Sequence, residues 1–207
     1  MKLDKKLQQG LATMEIELRP EVRAQLVQFL ELLAHWNRAY NLTAVRDIEQ
    51  MLPRHLLDSL SVLPHLRGQR VLDIGTGAGL PGIPLALARP DMHFVLLDSN
   101  AKKLRFVTQA LHHLGISNVE TVQVAVERYQ PPQPFDSLIA RAFAAIPDML
   151  NSCRHLFAPH GVFLAMKGVY PQEELATVNP GFRVREVARL AVPGLDAARH
   201  LVILEAS

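Results

Sequence analysis

The sequence predicts an α/β fold: a mostly parallel sheet closed by an antiparallel hairpin and preceded by N-terminal helices. Three observations carry this. From residue 70 onward, short apolar strands alternate with helix-like segments, the pattern of a parallel sheet covered on both faces. The last two strand-like runs, "FRVREVARLAV" and "RHLVILEA", are joined only by "PGLDAA". A parallel return needs a long crossover, so these two must run antiparallel. Residues 1 to about 66, by contrast, contain no convincing strand.

The elements follow in order. "PEVRAQLVQFLELLAHWN" puts Leu26, Phe29, Leu30, Leu33 and Trp36 at helical spacing, and Pro20 suits its first turn. The helix should stop in "NRAYNLT", with Asn41 as a turn or cap residue rather than a glycosylation acceptor. A second helical stretch, "MLPRHLLDSLSVLPHL", follows. The strands are then "RVLDIG", "HFVLLD", "VETVQV", "FDSLIA" and "GVFLAMKG", with helices around residues 82–89, 100–114 and 145–157 and a loop at "QPPQP". The division expected is a helical extension over 1–66, packed on a core domain over 67–207.

Composition sets the frame. Of 207 residues, 49% are hydrophobic, enough for a real core. A net charge of +2 permits a nucleic-acid partner without arguing for one. The single cysteine, Cys153, excludes an internal disulfide and a Cys-cluster zinc site. The N-terminus has scattered charges, and no 18-residue apolar run occurs, so a soluble cytoplasmic protein with no membrane association is expected.

The chemistry concentrates in "RVLDIGTGAGLPGIPLAL" (70–87). Gly77 to Gly82 reads G-x-G-x-x-G, a dinucleotide fingerprint; Gly75 to Gly79 reads G-x-G-x-G with Asp73 just upstream. Glycines at 75, 77 and 79 permit positive φ and leave the backbone bare toward a ligand. Pro81 and Pro84 remove N–H donors from the start of the next helix, where a pyrophosphate would want them, and no Lys-Ser/Thr pair follows. Asp73 would repel a pyrophosphate but suits the ammonium and sulfonium of S-adenosylmethionine. Asp98, ending "FVLLD" about twenty residues on, is placed for ribose hydroxyls under either reading. The terminal hairpin favours the class I S-adenosylmethionine-dependent methyltransferase fold, since an ordinary dinucleotide fold does not need it. In that fold, the end of the third strand meets the adenine edge, which puts Val126 and Glu127 there.

On the acceptor side, "LIARAFAAI" has Arg141 where base amino-group methyltransferases carry an Asn/Asp-Pro-Pro-aromatic motif. Cys153 reads as a structural cysteine within a helix, and the histidines show no metal-ligand spacing. No metal is expected. A ring nitrogen such as guanine N7 needs neither base nor nucleophile; orientation alone can serve. No catalytic residue is therefore assigned, with Arg141 the candidate organiser.

"HWNRAYNLTAVRD", "RHLLDSL", "LDIGTGAGLPGIPLALARPD", "LLDSNAKKLRF", "ARAFA" and "PGLDAARHLVIL" together resemble the RsmG family, also called GidB, over nearly the whole chain. The resemblance implies methylation of nitrogen 7 of guanine 527 in 16S ribosomal RNA, in the small ribosomal subunit or an assembly intermediate, with S-adenosylmethionine as donor. It also implies donor contacts at Gly75, Leu80, Val126, Glu127 and Arg141. A monomer is expected. Candidate RNA contacts are Arg38, Arg46, Arg54, Lys102, Lys103, Arg105, Arg141, Lys167, Arg199 and His200, with Lys102 and Lys103 better read as a solvated helix face. Three other readings stay open: a methyltransferase for another RNA base or a small molecule, a non-catalytic donor-bound RNA-binding module, and a dinucleotide oxidoreductase.

Overall fold

The chain is represented by a computed structural model that describes residues 2–141 and 144–206. Seven strands form one sheet in the order β3-β2-β1-β4-β5-β7-β6. They are β1 (Arg70–Ile74), β2 (His93–Leu97), β3 (Val119–Val122), β4 (Phe135–Arg141), β5 (Phe157–Lys167), β6 (Phe182–Arg189) and β7 (His200–Ala206). The first five run parallel; β7 inserts antiparallel between β5 and β6. The predicted terminal hairpin is therefore present. The chain steps outward from β1 through β2 to β3, then returns to β4 on the other side of β1. That reversal opens a crevice at the carboxyl ends of β1 and β4, where ligands of such sheets bind.

Strand periodicity sorts the core into two layers. Val71, Phe94, Leu96, Ile139 and Leu164 face one cluster; Leu72, Val95, Leu97, Leu138 and Phe163 face the other. The first cluster is roofed by α1 (Lys2–Thr13), α2 (Pro20–Tyr40), α5 (Gly82–Ala88) and α6 (Ala101–Leu114). Between α2 and α5 come α3 (Ile48–Met51) and α4 (Asp58–Leu60). The second cluster is roofed by α7 (Ile146–Cys153). A short α8 (Gln172–Ala176) follows β5.

Helix α2 starts at Pro20 and ends at Tyr40, with Asn41 in the left-handed conformation (φ 49°), the predicted cap. The helical stretch after it is broken. Pro53 has no N–H to continue α3, and residues Leu52–Leu57 open into a π turn before α4; Pro64 sits in a short 3-10 turn. Helix α6 is capped at both ends: the Asn100 side chain accepts from the N–H groups of Lys102 and Lys103, and Gly115 closes it at φ 64°.

Three features escaped the sequence reading. Helix α1 was not foreseen, although Leu3, Leu7 and Leu11 recur every four residues and pack into the first cluster. Helix α8 was not foreseen either. Strand β5 begins at Phe157, the residue assigned to the end of the preceding helix, because Phe135 pairs with Phe157 before a bulge restarts the ladder at Ser137 and Val162.

Phe29 of α2 is fully buried and packs against Phe106 of α6, ring centroids 6.2 Å apart. The N-terminal helices thus share a core with the sheet. Phe29→Ala should cost about 3–5 kcal/mol, read as a lowered urea midpoint of a single cooperative transition; an unchanged midpoint would mean that α2 contributes nothing to the core.

Candidate functional site

The glycine loop begins where β1 ends. Gly75 and Thr76 donate their backbone N–H groups to the Leu97 carbonyl, tying the loop to β2. Gly75, Gly77 and Gly79 all have positive φ (68°, 59° and 78°). Side chains pay a steric penalty in that region, so the alternation of glycines is a backbone requirement. At Gly77 a Cβ would meet only the Gly75 carbonyl at 3.9 Å and the Lys103 ammonium at 4.0 Å, so this part of the loop is open. Lys103 thus reaches the loop, contrary to its reading as part of a solvated helix face.

Asp73 alternates with Leu72 and Ile74, so it points to the side of the first cluster, and it is fully buried. Its Oδ2 accepts from the Thr76 hydroxyl at 2.6 Å and from the Gly82 N–H at 2.9 Å. Burial pushes its carboxyl up to about 6, against those two hydrogen bonds and the nearby Arg141 charge. Its Oδ1 is buried with no hydrogen-bond partner among the described residues. Asp73 is therefore first a staple that folds the loop onto α5.

The start of α5 has no donor to offer. Gly82 N–H is used by Asp73, Ile83 N–H by the Gly79 carbonyl and Leu85 N–H by the Pro81 carbonyl, while Pro81 and Pro84 have none. A pyrophosphate at this helix end would find no free N–H, which removes the physical basis for the dinucleotide reading.

Asp98 ends β2 and is also engaged. Its Oδ2 accepts from the Gly77 N–H at 2.9 Å and its Oδ1 from the Asn100 N–H at 2.8 Å. Each oxygen keeps a second lone pair for a further donor. Leu80 is buried in the core, so its side chain packs inward rather than toward a ligand. Val126 is buried and Glu127 exposed in the 3-10 turn after β3. Arg141 ends β4, one register step beyond the Ile74–Ala140 pair and so beside the loop. Ala142 and Phe143 of "ARAFA" lie outside the described residues.

Asp58 was not singled out from sequence. Its carboxylate is 3% exposed and accepts from two arginines: Arg199 Nε on Oδ1 at 2.9 Å and Arg141 Nη1 on Oδ2 at 3.4 Å. An acid inside the apolar run "LLDSLSVL" was the available signal, since a buried carboxylate needs partners. Next to it, His55 Nδ1–H donates to the Arg54 carbonyl at 3.0 Å, leaving Nε2 to accept from the Thr43 hydroxyl at 2.9 Å. Burial, reinforced by the Arg141 charge, lowers His55 to about 4.

The candidate RNA contacts separate. Arg46 is bound to the Asn37 carbonyl and the Asn41 side chain, Lys167 to Glu174 and Arg199 to Asp58, whereas Arg38, Arg54, Lys102 and Arg105 are exposed. Cys153 is buried in α7, its thiol pushed up by burial to about 12, as befits a structural cysteine. No group of three or more His, Cys, Asp or Glu among the described residues could hold a metal ion, and no described helix is long and apolar enough to cross a membrane.

With this geometry in place, comparison with known proteins identifies the family. Residues 22–202 match the family model GidB, described as rRNA small subunit methyltransferase G. The chain belongs to the GidB family. It is 56% identical over 204 residues, 98% of this chain and 99% of the relative, to a Ribosomal RNA small subunit methyltransferase G of Yersinia enterocolitica. It is 52% identical over 206 residues, 99% and 100% of the two chains, to the protein of that name from Serratia proteamaculans. Solved structures with the same fold include the O-methyltransferase TomG of Streptomyces achromogenes in complex with SAM (TM-score 0.59, 19% identity, 87% of this chain and 90% of that one). A SAM-dependent methyltransferase of Aquifex aeolicus matches at TM-score 0.56 and 19% identity over 75% and 92% of the two chains. The GidB chain therefore has the class I S-adenosylmethionine-dependent methyltransferase fold.

The buried histidine makes GidB stability pH-dependent with a defined sign. His55 titrates near 6.5 when unfolded and near 4 when folded, so the unfolded chain binds more protons between those values. The stabilisation is complete above pH 6.5 and is lost as pH falls toward 4, on the order of 3 kcal/mol at most. Asp73 acts oppositely: its contribution is full below 3.8 and is lost as pH rises to about 6. His55→Gln isolates the first effect. Denaturant unfolding at pH 7.5 and pH 4.5 should show the stability advantage of the parent protein over the variant shrinking at the lower pH; an advantage independent of pH would refute a depressed His55.

Proposed function

We propose that the protein is the S-adenosylmethionine-dependent methyltransferase that modifies nitrogen 7 of guanine 527 in 16S ribosomal RNA, acting in the cytoplasm as a monomer on the small subunit or an assembly intermediate. The observation that carries the donor assignment is the glycine loop at the β1/β4 switch, bare at Gly77 and backed by a helix end with no free N–H. Such a loop suits a cofactor without phosphate. The names of the full-length relatives support ribosomal RNA of the small subunit as acceptor. The position and the ring nitrogen come from the RsmG resemblance.

The residues fit that donor. The unpartnered, buried Asp73 Oδ1 is an acceptor that a cationic group would complete. In this reading Gly75, Gly77 and Gly79 present backbone, Leu80 contributes its main chain, and Asp98 accepts from hydroxyls through its remaining lone pairs. Val126 packs and the Glu127 region hydrogen-bonds at the far end, while Arg141 organises the mouth. Residues 1–66 form the helical extension and 67–207 the methyltransferase domain, with Asp58 of the extension holding Arg141. When bound, S-adenosylmethionine supplies an electrophilic methyl group on a positively charged sulfur.

The chain's own task is then orientation. Guanine N7 carries an in-plane lone pair and no proton, so no side chain has a proton to remove. The protein must hold the base against the donor, extruded from its stack, and keep Arg141 in place beside it. Buried Cys153 is not required as a nucleophile.

Mapping N7-methylguanine in small-subunit RNA from cells with and without the gene tests the assignment. The modification at 527 should vanish on deletion and return with the gene; its persistence would sink the proposal. The mechanism is tested by single-turnover rates at saturating donor and RNA. These should be nearly flat from about pH 7 to 9, about one unit or more above the values at which Asp73 and His55 titrate. Arg141→Ala should lower donor affinity or turnover without adding a pH dependence. A steep rise that disappeared on mutating one Asp, Glu or His would establish a general base instead.

A further inference from the structure

We propose that the loop Gly168–Pro171, backed by His200 and Arg199, is the docking site for an unpaired stretch of the acceptor RNA, with the Tyr170 ring as its stacking platform and Arg199 as a phosphate contact. This deepens the proposed function and rests on it. The loop follows β5, and β5 pairs with β7 so that Lys167 lies opposite His200. Arg141 pairs with Met166 across β4 and β5. The loop therefore leaves the same carboxyl edge of the sheet as the glycine loop, a few residues beyond the register of Arg141.

Its exposure is unusual for this molecule. Val169 is 82% exposed and Tyr170 50%, in a chain whose large apolar side chains are otherwise mostly buried. The exposed ring is held rather than loose. His200 Nδ1–H donates to the Gly168 carbonyl at 3.0 Å, which fixes the imidazole. The Tyr170 ring packs at 90° to that imidazole, centroids 5.6 Å apart. A preformed aromatic surface loses little freedom when a base stacks on it, and every base has a π-face to offer. The loop also lines a cleft of about 800 Å³ whose polar wall is Lys167, Gln172, Glu173 and Glu174.

Charge favours RNA as the occupant. Arg141 and Arg199 share one carboxylate, Asp58, and among the described residues no second acid pairs with either. Arg199 therefore shares its one carboxylate partner among the described residues with a second arginine. Arg199 lies against the loop: its Nη1 is 3.7 Å from the point where a Gly168 Cβ would be. Lys167, by contrast, is neutralised by Glu174 at 2.8 Å and adds nothing net. An exposed aromatic beside a guanidinium that shares its carboxylate with a second arginine matches a base followed by its phosphate.

Fluorescence anisotropy with labelled, unmethylated small-subunit RNA transcript tests this, with donor affinity measured calorimetrically on the same samples. Tyr170→Ala should weaken RNA binding about ten-fold and leave donor affinity as it is. Tyr170→Phe, which keeps the ring, should retain most of the RNA affinity. Arg199→Gln, which can still donate to Asp58, should lower the slope of log affinity against log salt by about one. Unchanged RNA affinity in Tyr170→Ala overturns the proposal. So does equal loss in Tyr170→Ala and Tyr170→Phe, or loss of donor binding in Tyr170→Ala. Loss of affinity for whole subunits with none for the naked transcript would assign the loop to a protein surface and overturn it as well. Methyl transfer by the unaltered protein is scored separately: its absence counts against the proposed function, whereas transfer with an unaffected Tyr170→Ala counts against this docking site alone.

Discussion

The burial of Asp73 is the constraint on which the site depends. A carboxylate at the end of a central strand has lost its water and must be satisfied by what surrounds it. The Thr76 hydroxyl and the Gly82 N–H do this, and both belong to the loop and helix that follow directly. Satisfying the acid therefore draws the loop back over the strand end. The loop turns through positive φ at 75, 77 and 79, and the acid consumes a donor that a phosphate would otherwise use. The crowding agrees: at Gly82 a Cβ would sit 2.7 Å from Asp73 Oδ2 and 2.8 Å from the Leu96 side chain. The buried Asp73 thus explains the closeness of α5 to the sheet.

Asp58 plays the corresponding part between distant segments. It lies in the N-terminal helical region, Arg141 ends β4, and Arg199 precedes β7. Replacing one partner would leave a charge buried and unpaired, which costs more than the pair itself contributes. The pairing therefore specifies an arrangement more than it adds stability. The π turn at Leu52–Leu57 belongs to the same arrangement, since it brings His55 beside the Arg141 charge, where the imidazole stays neutral and fully hydrogen-bonded.

The contrast between these two carboxylates explains what could be read from the sequence. Asp73 and its partners lie within ten residues, so strand, glycine spacing and helix start were visible as one local pattern. The parallel strands were visible because both faces are covered, leaving continuous apolar runs, and the terminal hairpin because its connection is short. Asp58 meets its arginines across 83 and 141 residues, and no local period encodes such a contact. Lys103 was misread for a related reason: helical spacing gives the face a residue occupies but not what the neighbouring loop brings to it. Helix α1 went unrecognised because its apolar stripe is narrow and lysine-rich. The start of β5 was misplaced because a bulge after Phe157 hides its pairing with β4.

The two carboxylates also divide the carboxyl edge of the sheet by charge. Toward β1, β2 and β3 stand Asp73, Asp98 and Glu127; toward β4, β5 and β7 stand Arg141 and Arg199, with Asp58 between them. In the proposed reading the donor carries an ammonium and a sulfonium, and the acceptor carries phosphates, so each meets groups of opposite sign. Transfer of the methyl group moves a positive charge from sulfur to the purine and creates none. A site that needed to stabilise a new charge would require preorganised dipoles or ions aimed at it. In the proposed reading the charge only changes carrier, so holding the two partners in line is the protein's task. In that reading neither the neutral, buried His55 nor Cys153, buried in α7, is needed for the transfer.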